Sequence, residues 1–178
     1  MVFSGFVTTG ADVGGKSKSW LAPTATASLL YSKNGGWNEI GLGMAADPAG
    51  DHEIFANSFV QIDLSGLLAQ AQIDSFQLMI DKVQCGDGFS IWGSNTADQP
   101  GTLLMTGTSA LDDKAVNVTN YGGYRYISVS ATSGNILLDA VSVTGDRVNC
   151  ATPEPGTLAL GLAACIGLFS KKLIQRFA

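Results

Sequence analysis

Before residue 150, apolar and polar residues alternate with a period of two in many short runs. The clearest is 74–83, where Phe76, Leu78 and Ile80 fall on one side. A period of two predicts a strand with one buried face. In 124–131, Tyr124 and Tyr126 alternate with Arg125, Ile127 and Val129. In 136–143, Ile136 and Leu138 share a face with Ala140. Runs at 3–8, 37–44, 54–64, 89–93, 103–105 and 115–119 read as further strands, and 20–31 as an irregular segment with a strand. The run 37–44 (WNEIGLGM) carries glycines where backbones approach, and 64–72 reads as a helical turn or a connection. Turns fall at Asn34-Gly35-Gly36, 47–53, Gly86-Asp87-Gly88, 95–101, Gly122-Gly123 and Ser133-Gly134-Asn135. No stretch here sustains a period near 3.6. The pattern predicts an all-β protein, an antiparallel β-sandwich or jelly roll of about eight strands.

The pattern breaks after residue 150. Pro153 and Pro155 fix φ and remove two backbone donors, so no regular element runs through Pro153-Glu154-Pro155-Gly156. Thr157 can cap a helix that starts just beyond. From there Leu158, Leu160, Leu162, Ile166, Leu168 and Phe169 are spaced by Ala, Gly and Cys, so no face is polar. Lys171, Lys172 and Arg176 follow as a basic stop. Residues 156–170 give about fifteen uncharged positions, short of the ~20 that span a bilayer. Snorkelling of the two lysines, with Leu173 and Ile174 beyond them, lengthens the effective span. The expectation is a C-terminal transmembrane helix with a cytoplasmic end and an exported body. A buried helix of a soluble domain fits less well, because core helices are seldom apolar all round. The chain therefore divides into a β body, 1–150, and a tail, 151–178.

The tail resembles the PEP-CTERM sorting signal of Gram-negative bacteria. The likeness rests on Pro153-Glu154-Pro155-Gly156-Thr157, the Leu/Ala/Gly-rich run 158–169, and Lys171, Lys172 and Arg176, about 26 residues in all. Its ending, Lys-Lys-Leu-Ile-Gln-Arg, is less arginine-dense than is usual in that family. The resemblance implies an inner-membrane intermediate and recognition by exosortase, a membrane-embedded cysteine protease that cuts near the Pro-Glu-Pro. It also implies a final place at the cell surface or in the extracellular matrix, associated with exopolysaccharide and biofilm.

Export requires a signal peptide, and the residues after Met1 lack both a basic start and a sustained apolar core. Either the true start lies upstream or the chain is a fragment, and the sorting tail favours the first. The net charge is −5. The tail is basic, so the body is more acidic than the whole. This argues against nucleic acid as a partner and suits divalent cations or colloidal stability. Cys165 lies in the apolar run. Cys85 and Cys150 would share an oxidising space, where a disulfide between them and two free thiols are both open. Cys-x-x-Cys is absent, so zinc and redox motifs are unsupported.

The second half of the body also resembles the galactose-binding-like jelly roll. The residues concerned are FSIWGSN (89–95), YRYISVSAT (124–132) and NILLDAVSV (135–143). This implies the fold and does not by itself imply a sugar ligand.

The densest polar cluster is Asp47, Asp51, His52 and Glu53, which Glu39 joins by hairpin proximity. Asp139, set among apolar residues, is a further candidate. Loop carboxylates suit Ca²⁺, which takes six to eight oxygens, although the spacing is not that of an EF-hand and a solvated acidic turn is the plainer account. His52 is the only histidine, so a Ser-His or Cys-His hydrolase would need it as base. No Gly-x-Ser-x-Gly elbow accompanies it. Trp20, Trp37 and Trp92 suit either sugar stacking or a sandwich core. Gly14-Gly15-Lys16-Ser17 is not read as a phosphate loop, for want of a strong preceding strand. The leading expectation is a non-enzymatic exported surface or matrix protein that needs no cofactor. A carbohydrate-binding module, possible calcium included, is the alternative, and a hydrolase the third.

Overall fold

Strands that repeat apolar residues at every second position bury one face, and two such sheets bury those faces against each other. The computed structural model, which describes residues 1–8, 25–36 and 39–148, has this arrangement. One sheet holds β1 (Val2–Thr8), β2 (Ala25–Ser28), β6 (Ser58–Asp63), β8 (Gly88–Ser94), β9 (Thr102–Thr108) and β11 (Tyr126–Ser133), in the order β2-β1-β6-β11-β8-β9. The other holds β3 (Leu30–Asn34), β4 (Ile40–Met44), β7 (Ala71–Asp81), β10 (Ala115–Asn117) and β12 (Asn135–Arg147), in the order β10-β7-β12-β4-β3. The short β5 (Ile54–Phe55) pairs with β12. All these pairings are antiparallel. The strands belong to one compact unit, Met1–Arg147.

The core lies between the sheets. Val60, Ile62, Phe89, Ile91, Ile127 and Val129 from the first meet Met44, Phe76, Leu78, Ile80, Val116 and Leu138 from the second in one apolar cluster. Fully burying each of the larger of these side chains contributes ~1.5–3 kcal/mol. The all-β class and the one-sided burial of Phe76, Leu78 and Ile80 are as expected.

Three details differ from the sequence reading. Twelve strands are present among the described residues, against about eight expected, because short pieces such as β2 and β5 pair as strands in their own right. The chain reaches β11 through a 3₁₀ turn at Tyr121–Gly123, so the strand starts at Tyr126 and not Tyr124. In β12 the register shifts between Leu138 and Ala140. That bulge at Asp139 moves Val141 and Val143 onto the core side with Ile136 and Leu138, and leaves Ala140 exposed. An extra residue in one strand reverses every face after it.

The connection after β6 contains one helical turn, α1 (Ser65–Leu68). Among the described residues no helix is long and apolar enough to cross a membrane. Trp20, Trp37, Cys150, the motif Pro153-Glu154-Pro155-Gly156, the apolar run 158–169 and the basic Lys171, Lys172 and Arg176 lie outside the described residues.

Candidate functional site

The β3–β4 hairpin builds the site. Its register places Tyr31 opposite Gly43 and Lys33 opposite Gly41. Directly opposed residues point to the same face, so the two long side chains of β3 stand over a strand that presents none there. The vacant strip is filled by backbone. A Cβ on Gly43 would overlap the carbonyl oxygen of His52 and come within 3.0 Å of the Glu53 Cα. The glycines of 37–44 thus mark a close approach of backbones, as expected.

The loop that lies on β4 is held at several points. The Asp47 carboxylate accepts the backbone N–H of Ala49 at 3.0 Å and that of Glu53 at 3.1 Å. His52 sits in the left-handed region, φ 61°. Its imidazole stacks on the Tyr31 ring, centroids 4.0 Å apart and planes 26° apart. Its Nδ1 is buried with no hydrogen-bond partner among the described residues.

Below this stack lies a four-membered ion cluster. Glu53 is 1% exposed, and its Oε1 accepts from Lys33 Nζ at 2.5 Å and from Lys82 Nζ. Glu39, at the hairpin end, lies 2.9 Å from Lys33 and 3.3 Å from Lys82. Burial pulls the Lys33 ammonium down, but its bonds to Glu53 and Glu39 outweigh this and hold it above its ordinary 10.5. Lys82 is raised in the same way, its burial opposed chiefly by Glu53. Glu39 is held below its usual 4.5 by hydrogen bonds from Lys33 and then Lys82.

The outcome is an open cleft of about 350 Å³ lined by Tyr31, Lys33, Asn34, Glu39, Asp51 and His52, with Gly35 and Gly50. Among the described residues, the lining holds no Ser, Thr or Cys that His52 could activate. Its lysine is already paired. Asp51 is exposed and has no partner among the described residues.

The five carboxylates read as oxygen ligands divide between different tasks. Glu39 and Glu53 do come together, but around two ammonium groups. Asp47 is spent on backbone N–H groups, and Asp51 has no partner among the described residues. Asp139 is elsewhere, at the β12 bulge, where its charge is felt by Asp113. There Asp81, Asp112 and Asp113 bring oxygens within 4.8 Å of one another, a grouping the sequence reading missed. Asp81 Oδ2 accepts from Ile40 N at 2.8 Å, its Oδ1 from Lys82 N at 2.5 Å, and Asp112 Oδ1 from Val83 N at 2.7 Å. Backbone donors thus occupy much of the set, a poor fit to a cation wanting six to eight oxygens.

Partial desolvation, followed by the charges of Asp81 and Asp112, pushes the carboxyl of the exposed Asp113 up from its usual 3.8. A raised carboxyl favours the fold below its unfolded pKa and loses that contribution as pH rises through the folded one. Asp113→Asn, which tolerates the φ of 53° at this position, should therefore stabilise the protein at pH 7 in the presence of a chelator. The gain should be under about 1 kcal/mol because solvent screens exposed charges, and it should vanish near pH 3. Urea titrations at the two pH values measure it. A loss of stability specific to millimolar calcium would instead make these carboxylates ligands.

Trp92 lies on the other sheet, on the side of β8 away from Phe89 and Ile91. It is half-buried, and its Nε1 donates to Ser90 Oγ at 2.8 Å. Cys85 is an exposed free thiol. Gly10, Gly15, Lys16 and Ser17 do keep the Gly-x-x-x-x-Gly-Lys-Ser spacing, and β1 precedes them. A phosphate loop, however, joins a strand to a helix in an α/β fold, whereas β1 pairs antiparallel on both sides. That segment lies outside the described residues.

No protein-family model, curated protein or solved structure matches the chain.

Proposed function

We propose that the chain is an exported, non-enzymatic surface or matrix protein, sorted through its C-terminal tail by an exosortase. The observation that carries this reading is the ordered succession in the sequence of Pro153-Glu154-Pro155-Gly156, an uncharged apolar run, and Lys171, Lys172 and Arg176. The apolar run acts as the transmembrane anchor of an inner-membrane intermediate, and the all-β body is what reaches the surface. A jelly-roll body of the galactose-binding-like kind suits that role, as does its acidity in a matrix of exopolysaccharide.

The test is the intact mass of the protein from its native host, in membrane, surface and cytosolic fractions. The expected result is a surface form ending near 153–156, with the apolar run gone. A full-length cytosolic protein would overturn the reading.

A second reading, a carbohydrate-binding module, is favoured by one observation: the cleft beside β3 combines a half-exposed tyrosine ring with a free carboxylate.

A further inference from the structure

We infer that the cleft beside the β3–β4 hairpin binds a pyranose-ring ligand that presents hydrogen-bond donors and carries no acidic group. This rests on the carbohydrate-binding reading above and gives it a site and a selectivity. Three observations bear on it.

The first is the ring. Tyr31 is 41% exposed, yet it is not a loose surface side chain. His52 stacks on one face of it, the planes 26° apart, and His52 is fixed by a left-handed backbone packed on Gly43. An aromatic face held in place before a ligand arrives lowers the ordering cost of stacking. The apolar face of a sugar ring suits such a surface.

The second is the charge count. Lys33 and Lys82 are matched by Glu39 and Glu53 within the cluster. Asp51 is left over, in a chain of net charge −5. Among the described residues, a uronate, sulfate or phosphate group entering here would find no unpaired cation. Hydroxyl or ammonium groups would find acceptors in Asp51 and in Glu39, which is 37% exposed.

The third is size. The cleft of about 350 Å³ is at the small end of the ~300–1,000 Å³ typical of ligand sites. That suits a sugar unit or the end of an oligosaccharide.

The experiment is calorimetric titration of the full chain with three probes: neutral gluco- and galacto-oligosaccharides, glucosamine oligomers and galacturonate oligomers. Binding is expected for the neutral or amine-bearing probes and absent for galacturonate. Tyr31→Ala should weaken it about tenfold, the scale of one aromatic contact, whereas Tyr31→Phe and Trp92→Ala should leave it intact. Asp51→Asn separates the two donor types, since it should weaken an amine-bearing ligand more than a neutral one. Melting temperatures of the variants exclude misfolding. Galacturonate binding as tight as the others would overturn the selectivity. Binding lost in Trp92→Ala but kept in Tyr31→Ala would remove the site from this cleft and leave the carbohydrate reading standing. No binding by any probe would end both, without touching the surface-protein reading, which the intact mass decides.

Discussion

Gly43→Ala is expected to be among the most damaging single methyl groups that can be added to this protein. The new Cβ would overlap the His52 carbonyl oxygen and lie 2.9 Å from its carbon. Neither is the end of a flexible side chain. Both belong to a loop tied down by Asp47 and by the buried Glu53. Overpacking commonly costs ~1–3 kcal/mol where side chains can shift. Here backbone must move, so a loss at the top of that range, about 3 kcal/mol, is expected in urea denaturation. Moving the His52–Glu53 backbone also unseats the imidazole from Tyr31, so the sugar binding proposed for the cleft should fall in parallel. Gly66→Ala is the matched control. It adds the same methyl in α1, where nothing lies within 4 Å, and should be neutral or stabilising by ~0.5–1 kcal/mol through backbone entropy. Equal midpoints for the two variants would mean that the loop does not rest on β4.

The hairpin was legible in the chain, but its register was not. Pairing counted outward from a turn at Asn34-Gly35-Gly36 would set Lys33 opposite Trp37 and Tyr31 opposite Glu39. Instead Asn34 pairs with Ile40, which sets Tyr31 and Lys33 opposite the two glycines of IGLGM. An aromatic and a lysine two apart, facing Gly-x-Gly, mark a strand crossed by something else, and that signal depends on the observed register. What no pattern gives is the identity of the crossing segment. The loop with His52 and Glu53 is a neighbour of β4 in sequence, but that it folds back over β4 depends on Asp47 capping two N–H groups. One aspartate among the several acidic residues of that loop does not announce it.

The acidic cluster was misread for a related reason. Sequence shows carboxylates and does not show which cations reach them. Lys33 and Lys82 are far from Glu53 along the chain and converge on it only because β3 and the end of β7 flank the same loop. Conversely, Asp81 with Asp112 and Asp113 look unremarkable in sequence and are gathered by the β7–β10 corner, where Asp113 N bonds to Ile80 O at 3.1 Å. The β12 faces failed at one residue. Alternation was read straight through Asp139, where the ladder skips, and a bulge leaves no compositional mark. Gln61 is a third omission. It reads as an ordinary polar strand residue, yet it donates to Ser128 Oγ and the Gln99 carbonyl and accepts from Asp98 N, and so ties the 95–101 loop to the sheet.

Glu53→Gln is the companion large effect, expected to cost about 3 kcal/mol at neutral pH, within the usual ~3–5 kcal/mol for breaking a buried ion pair. The carboxylate is 1% exposed, and the lysine side chains on it are 14% and 16% exposed. Glutamine keeps the shape and removes the charge, which leaves two part-buried ammonium groups sharing the exposed Glu39. Glu39→Gln should do far less, since solvent already screens that carboxylate. The pH dependence follows from the directions of the shifts. Lysines raised on folding contribute stability that is complete below their unfolded value of 10.5 and is lost as pH climbs through the higher folded values. Glu39, lowered on folding, contributes above 4.5 and ceases to as pH falls through its folded value. The gap between wild type and Glu53→Gln should thus stay level through neutral pH and close above about 10.5. Urea midpoints taken from pH 6 to pH 11.5 measure it. A gap that is absent at pH 7 would mean that water, rather than Glu53, holds the lysines. A gap that persists undiminished at pH 11.5 would place its origin in packing and not in charge.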